Sequence, residues 1–326
     1  MRTMVAAKFL GAYRPLAVKR VNIPSPRPGF RLVQVKACGV CGSDLSIQNG
    51  ELKVPVGITL GHEIAGETED GQRFAVHYGR GCGKCSMCRK GWVVGCEKGS
   101  RRLGVNEDGG FAEYVLVDEE SLVPIPPGVS FEAAAVSSDA LATCLHALMD
   151  VGNLKSGERV AVFGVGGLGV AAIQIAKAVG AWVIAISRSA TRRALAKSLG
   201  ADETIAGSDE PGGIKQLNVD LALQLVPQPA VDEQAIASVA QGGRIVLVGF
   251  TSHSFRASSL DLIIREITIV GSRGMTNENI GTAMDWVAHG KLDLSPLLST
   301  PRKISEINSV LDEFRAGKIL RAIMQP

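Results

Sequence analysis

The sequence predicts an α/β protein of two domains, one composed mostly of β-strands and the other built on a doubly wound parallel sheet. The chain has 326 residues, and at roughly 150 residues per domain this is enough for two domains with sizeable cores. Up to about residue 137 the apolar segments are short, often alternating, and interrupted by proline and glycine, as in antiparallel strands. From about residue 140 strands and helices alternate, which is typical of a parallel sheet covered by helices.

Four segments of the first region read as strands of a barrel-like domain: residues 31–37, 63–68, 73–77 and 111–117. The second region predicts helices at residues 140–150, 168–179, 190–199 and 231–240, and strands at residues 159–163, 182–187, 220–225, 244–249 and 267–270. After residue 271 we expect helices at residues 277–289 and 305–316 and a last strand at residues 319–324.

The composition is that of an ordinary folded protein and excludes several classes of function. Hydrophobic residues make up 46% of the chain and charged residues 21%, so neither disorder nor a fibrous repeat is indicated. The net charge is +3 and no run of lysine and arginine exceeds a pair, so we predict no nucleic-acid or membrane partner. No apolar run is long enough to span a membrane, and the first ten residues lack the apolar segment of a signal peptide, so the expected location is the cytoplasm.

A glycine-rich turn follows the predicted strand 159–163 and leads into a helix, which is the context of a dinucleotide-binding motif. In such a motif Gly164 permits the tight turn, Gly166 lets the backbone approach a pyrophosphate, and Gly169 packs the helix against the strand. The alternative is a turn that only connects the two elements. The predicted cofactor-binding residues here are Gly164, Gly166, Gly167, Leu168 and Gly169, together with Gly249 at the end of strand 244–249.

The end of the second strand favours NADP(H) over NAD(H). An NAD site commonly has an acidic residue there, which accepts hydrogen bonds from the ribose. This chain has Ser187, Arg188 and Ser189 instead, so no carboxylate repels a 2′-phosphate and Arg188 can pair with it. Arg192 lies one helical turn further along the chain. The alternative is that both arginines are solvated surface charges.

Four cysteines within sixteen residues predict a closed tetrahedral zinc site of structural type. Their spacing is C-x2-C-x2-C-x7-C, and the segment has few apolar residues that could hold it together by burial. Two disulfides are the alternative. The predicted ligands are Cys82, Cys85, Cys88 and Cys96.

A second group of residues is interpreted as a metal site because of a resemblance to a known family. Taken alone, Cys41 and His62 could each be core residues. However, the sequence Gly-Val-Cys-Gly-Ser-Asp at residues 39–44, then Gly-His-Glu at 61–63, then the four cysteines and the glycine-rich turn together resemble the zinc-containing medium-chain alcohol dehydrogenases. The resemblance covers nearly the whole chain and keeps the family's order of motifs.

The resemblance implies a GroES-like catalytic domain, interrupted by a Rossmann dinucleotide-binding domain. The expected boundaries are residues 1–139 and 272–326 for the GroES-like domain and 140–271 for the Rossmann domain. It also implies a homodimer or a homotetramer.

The same resemblance implies roles for individual residues. Cys41 and His62 become ligands of a catalytic zinc, and Glu63 is a neighbouring carboxylate that can bind or approach the metal. Asp44 becomes a group that orients the ligands, and Ser43 a hydroxyl that touches the substrate oxygen and passes its proton onward. A hydrogen-bonded turn is the alternative for Ser43 and Asp44. Tyr78 lies where the family often has a wall of the substrate pocket.

The third zinc ligand of the family is usually a cysteine just before the helix that enters the Rossmann domain. Alignment of this segment places Asp139 in that position, and an aspartate oxygen is an acceptable ligand in a catalytic site. The competing interpretation makes Asp139 only a helix N-cap and Cys144 a small buried hydrophobic residue. If Asp139 is not the third ligand, Glu63 or Cys144 takes that position.

These observations predict an NADP(H)-dependent alcohol dehydrogenase or carbonyl reductase with about two zinc ions per chain and a small-molecule substrate. A zinc-independent quinone or enone reductase of the same superfamily is one alternative. The other is a non-catalytic NADPH-binding regulatory protein. Its one support is Ser46, which stands where the family often has a histidine that completes the proton relay.

Overall fold

The computed structural model describes residues 2–207, 214, 217–250 and 252–326. The chain forms two compact units, one of Met1–Ala142 with Gly274–Pro326 and the other of Thr143–Arg273. We call them the outer-segment unit and the central unit. The predicted α/β fold class, with a mostly β part and a parallel sheet, is confirmed.

The first segment of the outer-segment unit consists mostly of strands. They are β1 (Thr3–Lys8), β2 (Ala17–Asn22), β3 (Phe30–Val40), β4 (Glu63–Thr68), β5 (Arg73–Val76), β6 (Gly79–Arg80), β7 (Arg101–Arg102), β8 (Tyr114–Asp118) and β9 (Leu122–Pro124). Helix α1 (Gly42–Gln48) follows β3 directly, and α2 (Ser86–Arg89) lies among the four clustered cysteines. Short 3-10 turns occupy Val93–Gly95 and Glu119–Ser121.

The helix predicted at residues 140–150 begins nine residues earlier than expected. Helix α3 (Phe131–Val136) starts after Ser130, whose Oγ accepts a hydrogen bond from the Ala133 N–H at 3.1 Å. The helical path continues through a π-helical segment Ser137–Leu141, α4 (Ala142–Leu145) and a second π-helical segment His146–Val151. Asp139 therefore lies inside the helical run, and the interpretation of Asp139 as an N-cap is wrong.

The central unit is a six-stranded parallel sheet with helices between the strands. Its elements are β10 (Arg159–Phe163), α5 (Gly167–Val179), β11 (Trp182–Ile186), α6 (Ala190–Ser198), β12 (Glu203–Ile205), β13 (Val219–Gln224), α7 (Pro229–Ser238), β14 (Val239–Leu247), α8 (Ser259–Arg265) and β15 (Thr268–Gly271). The strand order is β12-β11-β10-β13-β14-β15. The order reverses between β10 and β13, and open sheets of this kind bind ligands beyond the carboxyl ends of the strands at that point.

Two elements of the central unit were not predicted. Strand β12 has only three residues, too few for an alternating pattern. Helix α8 buries none of its residues, so its apolar side chains do not form the buried stripe by which an amphipathic helix is recognised. Strand β14 also begins at Val239, five residues before the predicted start.

The last segment of the chain completes the sheet of the outer-segment unit. It contains α9 (Asn277–Ala288), β16 (Arg302–Lys303), a 3-10 turn Ile304–Glu306, α10 (Ile307–Arg315) and β17 (Ala322–Gln325). Strand β17 pairs antiparallel with β3, and β3 pairs with β4, within the order β16-β17-β3-β4-β5-β9. The pairs Ala322 with Val40 and Gly39 with Glu63 bring one end of each of the three strands together.

The core of this unit is aliphatic around that sheet, with Phe111 as its largest fully buried aromatic side chain. None of the helices in the described part of the chain is both long and apolar enough to cross a membrane.

Candidate functional site

Four side chains that can bind a metal converge at the adjoining ends of β3, β4 and the π-helical segment 137–141. The ligand atoms of Cys41, His62, Glu63 and Asp139 all lie within 4.8 Å of one another. His62, Glu63 and Asp139 are buried and Cys41 is partly exposed. The structure thus brings together all three predicted ligands of the catalytic zinc and the neighbouring glutamate.

A buried arginine that the sequence analysis did not identify supplies a positive charge to this cluster. Arg321 directly precedes β17, is 3% exposed, and forms an ion pair with Glu63. Its Nη2 also lies 3.9 Å from Asp139 Oδ2. No local pattern marks Arg321, because its contact with Glu63 depends on pairing between strands far apart in the sequence.

The two carboxyl groups of the cluster differ in their readiness to ionise. Burial raises the pKa of Glu63 well above its usual range, and Arg321 counteracts only part of this effect. Burial also acts to raise the pKa of Asp139, but His62, a hydrogen bond with Glu63 and Arg321 outweigh it and hold that pKa below its usual value. The groups around Asp139 therefore favour its charged form, whereas burial disfavours the charged form of Glu63.

Asp44 and Ser43 lie next to His62, as the resemblance implies. Asp44 is fully buried, and its Oδ2 accepts a hydrogen bond from the Cys41 N–H at 2.8 Å while its Oδ1 lies 3.7 Å from His62 Nδ1. Ser43 Oγ lies 3.2 Å from His62 Nε2. Asp44 thus bonds to the backbone of one predicted ligand and lies near the ring of another, as supporting groups around metal ligands do.

Four buried polar atoms of this region lack a hydrogen-bond partner among the described residues: Asp44 Oδ1, His62 Nδ1, Glu63 Oε2 and Arg321 Nε. The first three can accept a hydrogen bond or bind a metal, whereas Arg321 Nε is a donor. A buried polar atom without a partner costs about 1–3 kcal/mol, so its presence calls for an explanation. A thiol, an imidazole and carboxylates are suitable ligands for zinc. The residues present therefore fit a divalent metal.

Tyr78 is the predicted pocket residue, and it contacts this cluster. Its ring centroid lies 5.6 Å from that of His62, edge to face, and 5.8 Å from that of His77 in a parallel stack. His77 is itself fixed by the backbone of Gly79 and Met275. Tyr78 thus lies beside a candidate metal ligand.

The structure does not bring Cys144 into the cluster. Cys144 is a fully buried residue of the central unit, and its thiol donates a hydrogen bond to the Leu168 carbonyl at 3.2 Å. Of the alternatives for a third ligand, only Glu63 lies close to Cys41 and His62.

The other four cysteines converge around α2. The sulfur atoms of Cys82, Cys85, Cys88 and Cys96 lie within 4.8 Å of one another, and all four are free thiols rather than disulfides. The backbone N–H groups of Lys84 and Cys85 donate to Cys82 Sγ at 3.5 and 3.4 Å, and they lower the pKa of Cys82 to about 6. Four convergent sulfurs, one of them readily ionised, fit a closed tetrahedral metal site.

A cavity of about 400 Å³ in the central unit lies at the carboxyl ends of its strands. Six predicted cofactor residues line it: Gly164, Gly166, Ser187, Arg188, Ser189 and Arg192. The other lining residues are Phe163, Val165, Ile186, Gly207, Val226, Gln228, Val231 and Gln234. None of the described lining residues is acidic and two are arginines, so the cavity favours an anionic ligand. Arg192 also donates to the Val165 carbonyl at 2.8 Å, which ties helix α6 to the glycine-rich turn.

The remaining predicted cofactor residues lie around this cavity without lining it. Gly167 and Leu168 begin helix α5. A Cβ on Gly169 would lie 2.0 Å from the Gly164 carbonyl oxygen, so only glycine allows this close approach of helix and turn. A Cβ on Gly249 would lie 2.7 Å from the Leu225 carbonyl carbon.

Comparisons with known proteins place the chain in a family. The model of the family described as zinc-binding dehydrogenase matches residues 167–289, and that of the alcohol dehydrogenase GroES-like domain matches residues 27–127. An alcohol dehydrogenase of Geobacillus stearothermophilus is 33% identical over 98% of this chain and 97% of its own length.

Two solved structures are similar over the whole chain. An acetophenone reductase from Geotrichum candidum in complex with NAD is 29% identical, with a TM-score of 0.91, covering 100% of this chain and 98% of that one. A chain from Sinorhizobium meliloti 1021 described as a zinc-binding dehydrogenase, bound to NADP, is 30% identical, with a TM-score of 0.90 and full coverage of both chains.

Two glycines of the turn should respond differently to the same added methyl group. A Cβ on Gly166 meets no atom within 4 Å, so we predict that Gly166→Ala folds normally but weakens dinucleotide binding at least about tenfold, because the methyl group blocks the approach of a pyrophosphate. We predict that Gly169→Ala lowers the free energy of unfolding by about 1–3 kcal/mol. Denaturant unfolding and dinucleotide titration measure both quantities. Equal stability of the two variants would contradict the packing role of Gly169.

Proposed function

The chain belongs to the zinc-containing alcohol dehydrogenase family of the medium-chain dehydrogenases and reductases, and we propose that it transfers hydride reversibly between an alcohol carbon and NADP(H) at a zinc-dependent site. The family is one of oxidoreductases that act on small alcohols and carbonyl compounds. The observation that carries the proposal is the convergence of Cys41, His62 and Asp139, with Ser43 and Asp44 beside them. In this proposal residues 1–139 and 272–326 form the catalytic domain and residues 140–271 the cofactor-binding domain.

In this proposal Cys41, His62 and Asp139 hold the catalytic zinc. When bound, the zinc supplies a Lewis acid that polarises a carbonyl group or lowers the pKa of an alcohol. The pairing of Glu63 with Arg321 supports this choice of ligands. Arg321 donates to Glu63 Oε1, whereas the groups around Asp139 lower the pKa of Asp139 and so favour its charged form. Three protein ligands leave one coordination position for substrate, which is the pattern of catalytic zinc sites.

The residues around the metal ligands orient those ligands and transfer the proton of the alcohol. In this proposal Asp44 holds the Cys41 backbone through its Oδ2, and its Oδ1, 3.7 Å from His62 Nδ1, attracts the ring of His62 electrostatically. The Ser43 hydroxyl accepts the proton of the alcohol and passes its own to water, since Ser46 offers no imidazole for the next step. Tyr78 forms an apolar wall beside His62, which limits water at the reacting carbon.

The central unit binds the cofactor in its 400 Å³ cavity. The glycine-rich turn and the N-terminus of α5 hold the pyrophosphate, and the segment after β11 holds the adenosine ribose. Arg188 and Arg192 give this end of the cavity two positive charges and no negative one, which supports NADP(H) as the preferred cofactor.

We also propose a second zinc, held by the four convergent cysteines.

We further propose that the protein is a homo-oligomer. Four apolar side chains that are more than half exposed fall between residues 250 and 264: Phe250, Leu260, Ile263 and Ile264. They precede β15 in the chain, and β15, which among the described strands pairs only with β14, lies at an open sheet edge. Exposed apolar side chains and an open sheet edge in one unit both favour association of two copies.

We predict that His62→Ala and Asp139→Ala each reduce the zinc content from about two to about one per chain and lower kcat at least about a hundredfold, with unchanged NADPH affinity. The control is Cys144→Ala, which removes the cysteine outside the cluster and should retain both zinc ions. Metal analysis, steady-state kinetics and NADPH titration give the three quantities. Full zinc retention in Asp139→Ala would assign the third position to Glu63.

We predict that Cys85→Ser removes the other zinc and lowers the melting temperature, because the segment around α2 folds around its metal. The catalytic zinc and the activity at low temperature should persist. Metal analysis with thermal unfolding in the presence and absence of a chelator measures this. If the variant kept both zinc ions and the wild-type melting temperature, the four cysteines would not form a structural metal site.

We predict that NADPH binds tenfold to a hundredfold more tightly than NADH, or by about 1.5–3 kcal/mol, through the pairing of Arg188 with the 2′-phosphate. Combining Ser187→Asp with Arg188→Ala should reverse this preference, since the new carboxylate accepts from the ribose and repels the phosphate. Lys197→Ala, a charge loss in the nearby helix α6 at a residue that does not line the cavity, is the control. Nicotinamide fluorescence titrations give the affinities, and equal wild-type affinities for both cofactors would refute the role of Arg188.

We predict that Ile263→Glu shifts the protein to monomers, because a charge at this 72% exposed position cannot be buried in an apolar interface without a partner. Val56→Glu, at a 68% exposed position of the outer-segment unit, should leave the assembly unchanged. Sedimentation velocity over a range of concentrations distinguishes the states. A wild-type protein that sediments as a monomer would rule out the assembly.

A further inference from the structure

A glutamine ends an otherwise apolar strand next to the cofactor cavity. Gln224 is the last residue of β13 and follows three fully buried apolar residues, Leu221, Ala222 and Leu223. Its own side chain is 1% exposed. A buried amide is destabilising unless its donors and acceptor are all satisfied, so such a residue in a sheet interior needs partners.

The amide of Gln224 has those partners, and they lie on three different segments. Its Nε2 donates to Asp232 Oδ1 in helix α7 and to the Val226 carbonyl, both at 2.6 Å. Its Oε1 accepts from the Gly249 N–H, beyond the end of β14, at 3.0 Å. One side chain therefore joins the loop after β13, the first part of α7 and the segment that follows β14.

The loop held in this way lies close to two glycines. A Cβ on Gly164 would lie 2.5 Å from Val226 Cγ2, and a Cβ on Gly249 would lie 2.7 Å from the Leu225 carbonyl carbon. Residues 225–226 thus approach the backbone of both glycines more closely than a side chain would allow. A shift of this loop toward either glycine therefore presses on the glycine-rich turn or on Gly249.

The same loop and helix form one side of the cofactor cavity, through Val226, Gln228, Val231 and Gln234. Gln224 itself does not line the cavity. The residues after β11, at which we place the adenosine ribose, line the cavity as well. Gln224 thus acts on the cavity through its neighbours.

We propose that Gln224 is a positioning residue for cofactor binding, whose side-chain amide holds residues 225–228 and the start of α7 in the conformation that accepts the adenosine half of the dinucleotide. This inference rests on the proposed cofactor function of the central unit. Because Gln224 acts on the part that NADPH and NADH share, its effect is the same for both cofactors. In this respect it differs from Arg188, which acts on the 2′-phosphate alone.

The first test replaces the amide by an apolar side chain of similar size. Gln224→Leu should weaken the binding of NADPH, NADH and adenosine 2′,5′-bisphosphate by the same factor, about tenfold, with the ratio of NADPH to NADH affinity unchanged. The KM for NADPH should rise while kcat at saturating NADPH stays within about twofold of wild type. The control is Gln174→Leu, the same change at a buried glutamine of α5 outside the cavity, which should leave all three affinities unchanged.

A second pair of variants tests the hydrogen bond to Asp232 and does not depend on Gln224→Leu being stable. Gln224→Glu removes both donors and sets a carboxyl group against that of Asp232, so all three ligands should bind more weakly. Combining it with Asp232→Asn supplies a donor from the other side and should restore part of the lost affinity. Unequal losses for NADPH and NADH, wild-type affinities in both single variants, or a double variant no better than Gln224→Glu would each overturn the proposal.

The outcomes separate this inference from the proposed function. If the wild-type chain binds NADPH and the variants bind it equally well, only the role of Gln224 is refuted. If the wild-type chain binds neither NADPH nor NADH, the cofactor function itself is refuted, and the inference with it.

Discussion

The outer-segment unit buries several ionisable side chains close together, and their charges must be balanced for the site to be stable. Cys41, Asp44, Glu63 and Asp139 would carry four negative charges if all were deprotonated, and isolated buried charges of this kind are costly. Arg321 offsets one of them, and a divalent metal would offset two more. The antiparallel pairing of β17 with β3 therefore also places Arg321, the one permanent positive charge of the cluster, beside Glu63.

In the central unit the main constraint is the close approach of several backbone segments around one cavity. Gly164, Gly169 and Gly249 lie where any Cβ would collide with neighbouring atoms, so the segments they contact are fixed by contact on both sides. Gln224 adds directional hydrogen bonds to that packing. Tight packing and a satisfied buried amide together specify a single conformation of the cavity wall, whereas packing alone would tolerate small shifts.

Local patterns in the sequence were enough to predict much of the fold. Strand β4 has the predicted bounds, and α5 begins one residue from its predicted start, because both follow a clear periodicity. The start of α3 was not predicted, because Asp139 was considered as the cap of this helix, whereas Ser130 is the actual cap. The cluster of Cys41, His62 and Asp139 was expected from a resemblance to a family. Arg321 was not expected, since its contact with Glu63 spans 258 residues and depends on strand register that no local signal encodes.

The account is tested most directly by a crystal structure of the protein grown with zinc and NADPH, with anomalous difference maps recorded at the zinc absorption edge. The account predicts two peaks per chain, one among the four clustered cysteines and one bonded to Cys41, His62 and Asp139. Bond lengths to this second ion should be about 2.3 Å for sulfur and about 2.0–2.2 Å for nitrogen and oxygen, with Glu63 still paired to Arg321. A second peak bonded to Glu63 in place of Asp139, or no peak at Cys41 and His62, would contradict it.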